Sequence, residues 1–163
     1  MLMPSLKVCA SAAVLTLSLP LLASPGYGQS GPFAGMAGNW SGSGTITTTG
    51  GSERIRCRVR YIISDGGMAM QQELRCASDS YRFDVSSSVA YRGDGISGTW
   101  SESTRGVSGN VIGRARSGSI AARVDGPGFS ASLSIQTSGQ SQSVSIKPQG
   151  ADITSVAVNL RRG

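Results

Sequence analysis

The sequence predicts an all-β protein, an up-and-down meander of about ten antiparallel strands closed into a barrel. Apolar and polar residues alternate along short segments, with the period of two that is typical of a strand with one buried face. Short glycine-rich runs of turn-forming residues separate these segments. No window shows the period and the caps of a helix. A two-sheet β-sandwich is the alternative.

The first segment of the chain has the features of a leader. Residues 8–23 form an apolar run that follows a single lysine and precedes small residues. This is typical of a secretory signal peptide, which we assign to residues 1–28, with cleavage after Ala23 or Gly28. A membrane anchor is disfavoured because the run is short and Pro20 interrupts it. We therefore expect a periplasmic or secreted bacterial protein with no transmembrane span in its mature form.

The next segment links this leader to the barrel domain, residues 38–163. Residues 29–37 are rich in glycine and proline and contain Phe33 and Met36. Because terminal segments of this kind are commonly poorly ordered, we predict a flexible tether. A lid across the barrel mouth is the alternative.

The strongest local signal is a β-hairpin over residues 53–77. A primed two-residue turn at Gly66-Gly67, which favours glycine because φ is positive twice, places Cys57 opposite Cys76. Centring the turn on Asp65-Gly66 instead leaves these cysteines about 7–8 Å apart on a diagonal, too far for a relaxed bridge. The third cysteine, Cys9, is removed with the predicted leader. The exported protein would then have two cysteines in an oxidising compartment, where a disulfide is favoured. We therefore predict a Cys57–Cys76 disulfide.

We place the other turns by requiring that each one keeps the apolar residues of neighbouring strands on the same face of the sheet. We predict two-residue turns at Gly50-Gly51, Ser78-Asp79, Gly93-Asp94, Thr104-Arg105, Ser117-Gly118, Gly126-Pro127 and Ser138-Gly139, followed by a longer connection from Pro148 to Asp152.

Closure of the sheet follows from its size. A flat sheet of this many strands would expose its apolar face and two edges, whereas a barrel buries the face and removes the edges. An outer-membrane barrel has the inverse alternation and is disfavoured. The sequence has no aromatic girdles and ends in Asn-Leu-Arg-Arg-Gly rather than in an aromatic residue.

The composition limits the chemistry that the protein can perform. The chain has no histidine, and the region after the leader has one lysine, Lys147. This excludes His-based metal sites and the Ser-His-Asp and Cys-His constellations. General acid–base catalysis would depend on carboxylates such as Glu102, for which the sequence indicates no second catalytic group. We therefore expect no enzymatic activity, no catalytic residue, no metal and no cofactor.

The inward face of the predicted barrel suggests one function. Small residues, among them Gly98, Gly109 and Gly113, leave room beside Trp100 for a small apolar ligand. The predicted ligand-binding residues are Tyr61, Met70, Gln72, Tyr81, Ser87 and Trp100. The alternative is that the glycines bend strands at barrel corners and the aromatic side chains fill the space.

The outward face suggests a second function. The arginine stripe consists of Arg54, Arg56, Arg58 and Arg60. Guanidinium groups about 7 Å apart on one strand suit the anionic groups of lipopolysaccharide, an acidic polysaccharide or nucleic acid. We expect an envelope polyanion and no specific nucleic-acid partner. The alternative is a solvated face partly neutralised by Glu73, opposite Arg60, and by Asp84.

The two ends of the predicted domain resemble a known superfamily. Gly38-Asn39-Trp40 opens the first strand, and Arg161 or Arg162 closes the last. The calycin barrels (lipocalins, avidins and the ten-stranded fatty-acid-binding and nitrobindin-like proteins) begin with a similar Gly-x-Trp. Their indole plugs the barrel end beneath a basic side chain from a late strand. The chain therefore resembles an exported bacterial barrel of calycin type, although the haem-binding histidine of nitrobindin-like proteins has no counterpart here.

Overall fold

A computed structural model describes residues 30–163 of the protein. The predicted signal peptide, residues 1–28, lies outside the described residues. A short 3-10 helix, Ala34–Met36, precedes the first strand. The strands are β1 (Gly38–Thr48), β2 (Gly51–Ser64), β3 (Ala69–Ala77), β4 (Arg82–Arg92), β5 (Gly95–Glu102), β6 (Val107–Arg116), β7 (Ser119–Gly126), β8 (Phe129–Ser138), β9 (Ser141–Gln149) and β10 (Ile153–Arg162). Among residues 30–163, no helix has the length and apolarity needed to cross a membrane.

The strands form a closed barrel in simple meander order. Each strand pairs antiparallel with its neighbour in sequence, and β1 pairs with β10 to complete the circle. The predicted up-and-down barrel is therefore confirmed, and the sandwich alternative is wrong. Apolar residues of alternating positions face inward, as in β2, where Ile55, Val59 and Tyr61 are buried and the intervening arginines are exposed.

The first hairpin has the predicted turn. Met68 N donates a hydrogen bond to Asp65 O at 3.2 Å, and Gly66 and Gly67 have φ values of +64° and +93°. Two successive positive φ values are what a primed turn requires. The pairing also confirms the predicted turns at Gly93-Asp94, Thr104-Arg105 and Ser117-Gly118.

The remaining predicted two-residue turns are wrong by one residue, which shifts the strand pairing by two. The sequence predicted Gly50-Gly51, Ser78-Asp79, Gly126-Pro127 and Ser138-Gly139, whereas the structure has Thr49-Gly50, Asp79-Ser80, Pro127-Gly128 and Gly139-Gln140. Pro127 takes the first central position and Gly128, at φ +78°, the second, as the backbone preferences of proline and glycine favour. The inward faces stay correct because a shift of two preserves the side-chain period.

Residues 31–37, hereafter the plug, close one end of the barrel. Phe33 and Met36 are fully buried. The backbone N–H groups of Gly31 and Phe33 donate hydrogen bonds of 2.8 and 3.1 Å to the turn between β2 and β3. The prediction of a flexible tether is therefore wrong for the plug. Burial of two large apolar side chains offsets the entropy lost when a short segment is ordered.

Trp40 lies beneath the plug at this end of the barrel. Its Nε1 donates a hydrogen bond to Met36 O at 2.9 Å. The Arg162 guanidinium lies 4.6 Å from the centre of the indole ring, within the range of a cation–π interaction, and Arg162 also donates a hydrogen bond to Gly35 O.

Candidate ligand-binding cavity

The predicted disulfide joins β2 to β3 on the inner face of the barrel. Cys57 and Cys76 are directly paired, with their Cα atoms 4.1 Å apart. Their exposed fractions are 3% and 7%, so the bridge is part of the core. The prediction of a Cys57–Cys76 bridge is confirmed.

The barrel encloses a cavity of about 220 Å³, the inner cavity. Its walls are almost entirely apolar side chains from across the sheet. Of the residues predicted to contact a ligand, the structure places Tyr61, Met70, Gln72, Ser87 and Trp100 in this lining. Gln72, Ser87 and Trp100 come from three neighbouring strands and are paired in one row, so two polar side chains and the indole meet on one wall.

A hydrogen-bonded chain joins β2, β9 and β8 beside the inner cavity. The Tyr61 hydroxyl donates to Gln142 Oε1 at 2.9 Å, and Gln142 Nε2 donates to Thr137 Oγ1 at 2.9 Å. Burial raises the pKa of the Tyr61 phenol far above its ordinary value, and the hydrogen bond to Gln142 opposes this rise only in part. Tyr61 therefore lines the cavity as a neutral side chain, while its hydroxyl donates to Gln142, which is not part of the lining.

A second cavity, of about 480 Å³, lies at the end of the barrel opposite the plug, hereafter the open end. It shares Leu74, Val85, Trp100 and Phe129 with the inner cavity, so the two adjoin. The structure places Tyr81 here rather than in the inner cavity. Phe83, which is not among the predicted ligand-binding residues, also lies at this end, opposite Cys76. Its inward orientation follows from the strand alternation, which the displaced turn between β3 and β4 leaves unchanged.

The glycines do not open the interior as predicted. A Cβ atom at Gly109 would overlap Asp125 O on the next strand, and one at Gly98 would overlap Ser88 O. The same holds at Gly113, where Ala121 O occupies the position. The backbone of a neighbouring strand therefore fills the space. The prediction that these glycines shape the pocket is wrong, because they allow close approach of strands in a curved sheet.

Glu102 lies at the open end with an exposed fraction of 5%. Its Oε1 accepts hydrogen bonds from Asp84 N at 3.1 Å and Thr104 N at 3.0 Å, and its Oε2 accepts one from Arg105 N at 2.8 Å. Burial alone would raise the pKa of Glu102, but the hydrogen bonds, led by that from the Thr104 hydroxyl, lower the pKa from 4.5 to about 2. The sequence showed no partner for Glu102, and the structure shows that it organises the turn between β5 and β6.

We expect Glu102→Gln to lower the free energy of unfolding at neutral pH by about 1–3 kcal/mol, because charge-assisted hydrogen bonds weaken. A carboxyl whose folded pKa lies below its unfolded pKa stabilises the protein above the unfolded value. For Glu102 this contribution is lost as the pH falls from about 4.5 toward about 2. Urea unfolding across this range measures it, with Glu73→Gln on the exposed face of β3 as the control. If the free energy of unfolding of the two variants depended on pH in the same way, Glu102 would not be the stabilising carboxylate.

The arginine stripe lies on the outer face, as its alternation predicts. Arg56 and Arg58 line an outer groove of about 650 Å³. Arg54 lies beyond the groove and donates a hydrogen bond to Ser43 Oγ at 3.0 Å. Arg60 is paired with Glu73 in the register of β2 and β3, as predicted. The stripe is therefore divided between a central groove and two flanking positions.

Together these features define a closed ten-stranded antiparallel barrel with an apolar interior cavity. The chain is similar in structure to Rv2717c from M. tuberculosis, whose crystal structure matches it with a TM-score of 0.64 and 13% sequence identity. The match covers 80% of this chain and 94% of that chain. At this identity the likeness shows the fold alone. No family model and no curated protein matches the sequence.

Proposed function

We propose that this protein is a non-enzymatic barrel that binds a small apolar ligand in its inner cavity. The cavity of about 220 Å³ carries this proposal. Protein interiors are close-packed, with few voids larger than a water molecule, and an unfilled apolar void lowers stability in proportion to its volume. Apolar cavities of roughly 150 Å³ are known to bind small aromatic molecules. A void of this size inside a well-paired barrel is best explained by a ligand.

The lining indicates the chemistry of that ligand. Tyr61 is the one titratable side chain among the described residues of the lining, and it is neutral. A charged ligand would find no partner there, so we infer a neutral molecule. Gln72 and Ser87 each supply hydrogen-bond donors and acceptors on one wall. The ligand is therefore apolar over most of its surface and carries one polar group, with the open end as its entrance.

We also propose that the protein is an exported barrel of calycin type. The contact of Trp40 with Arg162 supports the resemblance. The disulfide is compatible with an oxidising compartment. Both points are independent of the ligand.

We expect the neutral fluorescent probe N-phenyl-1-naphthylamine to bind the folded protein and to quench the emission of Trp100, which lines the cavity. Ala122→Leu should weaken this binding by about 10-fold or more, because Ala122 faces the cavity and its extra methylene groups occupy the ligand's volume. Ala121→Leu is the matched control, since Ala121 is exposed on the outer face of the same strand. Fluorescence titration gives both dissociation constants.

Two results would contradict the proposal. One is a wild-type protein that binds no neutral apolar probe. The other is an equal loss in Ala122→Leu and Ala121→Leu, which would place the probe outside the barrel. If the probe does bind inside the barrel, mass spectrometry of protein purified from its native source would identify the natural ligand that the probe replaces.

A further inference from the structure

The outer surface contains a groove with four arginine side chains, hereafter the arginine groove. It is lined by Arg56, Arg58, Arg75 and Arg82, and lies over the outer face of β1 to β4. Arg58 and Arg75 are directly paired across β2 and β3. Like charges in directly opposed positions destabilise a sheet, so the groove gains stability from an added anion.

The acidic side chains nearby neutralise this charge only in part. Asp84 forms an ion pair of 3.2 Å with Arg75. Within residues 30–163, no acidic side chain forms an ion pair with Arg56, Arg58 or Arg82. The alternative, a solvated face neutralised by nearby acidic residues, therefore explains the charge of only one of the four guanidinium groups.

A second outer groove, of about 710 Å³, adjoins the first; we call it the hydroxyl–amide groove. Its outward-facing side chains are neutral hydroxyls and amides together with one carboxylate, Glu73: Gln71, Glu73, Ser86, Ser88, Thr99, Ser101, Ser108 and Asn110. The two grooves are adjacent because Asp84, which lines the first, and Ser86, which lines the second, are successive outward residues of β4. A site with four arginines thus lies beside a hydrogen-bonding site that carries no cation and a single carboxylate, Glu73.

We propose that the two grooves together bind an acidic polysaccharide on the outside of the barrel. Guanidinium groups bind carboxylate, sulfate or phosphate substituents in bidentate fashion. Hydroxyl and amide side chains can both donate and accept, which matches the hydroxyl groups of sugars. This site is separate from the inner cavity, so its occupancy does not depend on the apolar ligand.

Nucleic acid is the competing class of polyanion. Proteins that bind single strands combine a basic groove with aromatic side chains on which bases stack. Neither groove presents an aromatic side chain on its outer face among the described residues, since Phe83 and Trp100 point into the barrel cavities. The hydroxyl–amide groove also offers no cation for further phosphates, and its one charged side chain, Glu73, would repel them. The chemistry of both grooves therefore favours the polysaccharide.

The test compares a heparin dodecasaccharide with a single strand of twelve thymidines, each titrated at increasing sodium chloride. Arg56→Gln/Arg58→Gln should weaken heparin binding by about 10-fold or more and reduce its salt dependence. Arg114→Gln/Arg116→Gln removes the same charge from β6 and should weaken binding by less than about 2-fold. Gln71→Ala/Asn110→Ala should weaken heparin by about 3-fold or more without changing its salt dependence, and should leave oligothymidine unaffected.

Equal losses in the two arginine double variants would overturn the proposal, because they would show attraction by net charge alone. Oligothymidine that binds as tightly as heparin at equal salt would also overturn it, in favour of a general phosphate-binding surface. Far-ultraviolet circular dichroism of each variant checks that the barrel is intact, so a loss of heparin binding reports on the outer site whether or not the inner cavity binds a probe.

Discussion

Replacing Cys57 by serine is expected to lower the free energy of unfolding by about 2–5 kcal/mol. The bridge closes a loop with a sequence separation of 19 residues, for which loop-closure entropy of the unfolded chain accounts for roughly 3 kcal/mol. The bridge is also buried in the core, so the variant leaves a serine hydroxyl and a free thiol among apolar side chains. Denaturant unfolding of the oxidised wild type and the variant measures the difference.

The double variant Cys57→Ala/Cys76→Ala separates these contributions. It removes the cross-link without adding a buried hydroxyl, so it should be less destabilised than Cys57→Ser. The reduced wild type should resemble the double variant. Quantitative alkylation of the unreduced, denatured mature protein by a thiol reagent would show that no bridge exists, and with it the expected loss would disappear.

The inward and outward faces were predictable because the side chains of a strand alternate with a period of two. Every predicted turn kept this parity, including those that were displaced by one residue. Parity cannot detect such a displacement, since it moves the pairing by two residues and leaves each side chain on the same face. The exact position of a turn therefore depends on the conformational preferences of its residues. At Pro127-Gly128 the preferences of proline and glycine indicate the turn in the sequence. At Asp79-Ser80 no comparable residue pair marks it.

The ends of the barrel were less predictable because they depend on the assembled sheet. Phe33 and Met36 have no periodic context in the sequence, and their burial requires a barrel end to cover. Glu102 likewise finds its partners on the neighbouring strand and on its own turn. By contrast, the lining of the inner cavity follows from parity, and five of the six residues predicted to contact a ligand lie there.

Gly109 is the position whose role in the structure differs most from the role that the sequence predicted. Its Cβ position is occupied by Asp125 O and lies 2.9 Å from Trp100 Nε1. The same carbonyl oxygen accepts the indole hydrogen bond from Trp100 at 3.0 Å. The glycine therefore makes room for a carbonyl and an indole that bond to each other across β5, β6 and β7. Curvature of the closed sheet, which the sequence does not display, creates this constraint.

Gly109→Ala is consequently expected to lower the free energy of unfolding by about 3 kcal/mol or more, because the added methyl group would overlap the Asp125 carbonyl oxygen and the neighbouring strand must shift to admit it. The shift should also break the Trp100 hydrogen bond and alter indole emission. Gly35→Ala is the control, since its Cβ meets no atom within 4 Å, and it should change stability by less than about 0.5 kcal/mol. Denaturant unfolding followed by fluorescence and far-ultraviolet circular dichroism measures both. If Gly109→Ala unfolded like the wild type, the strands at this point would be further apart than the structure shows, and the glycines would once more be candidates for shaping the cavity.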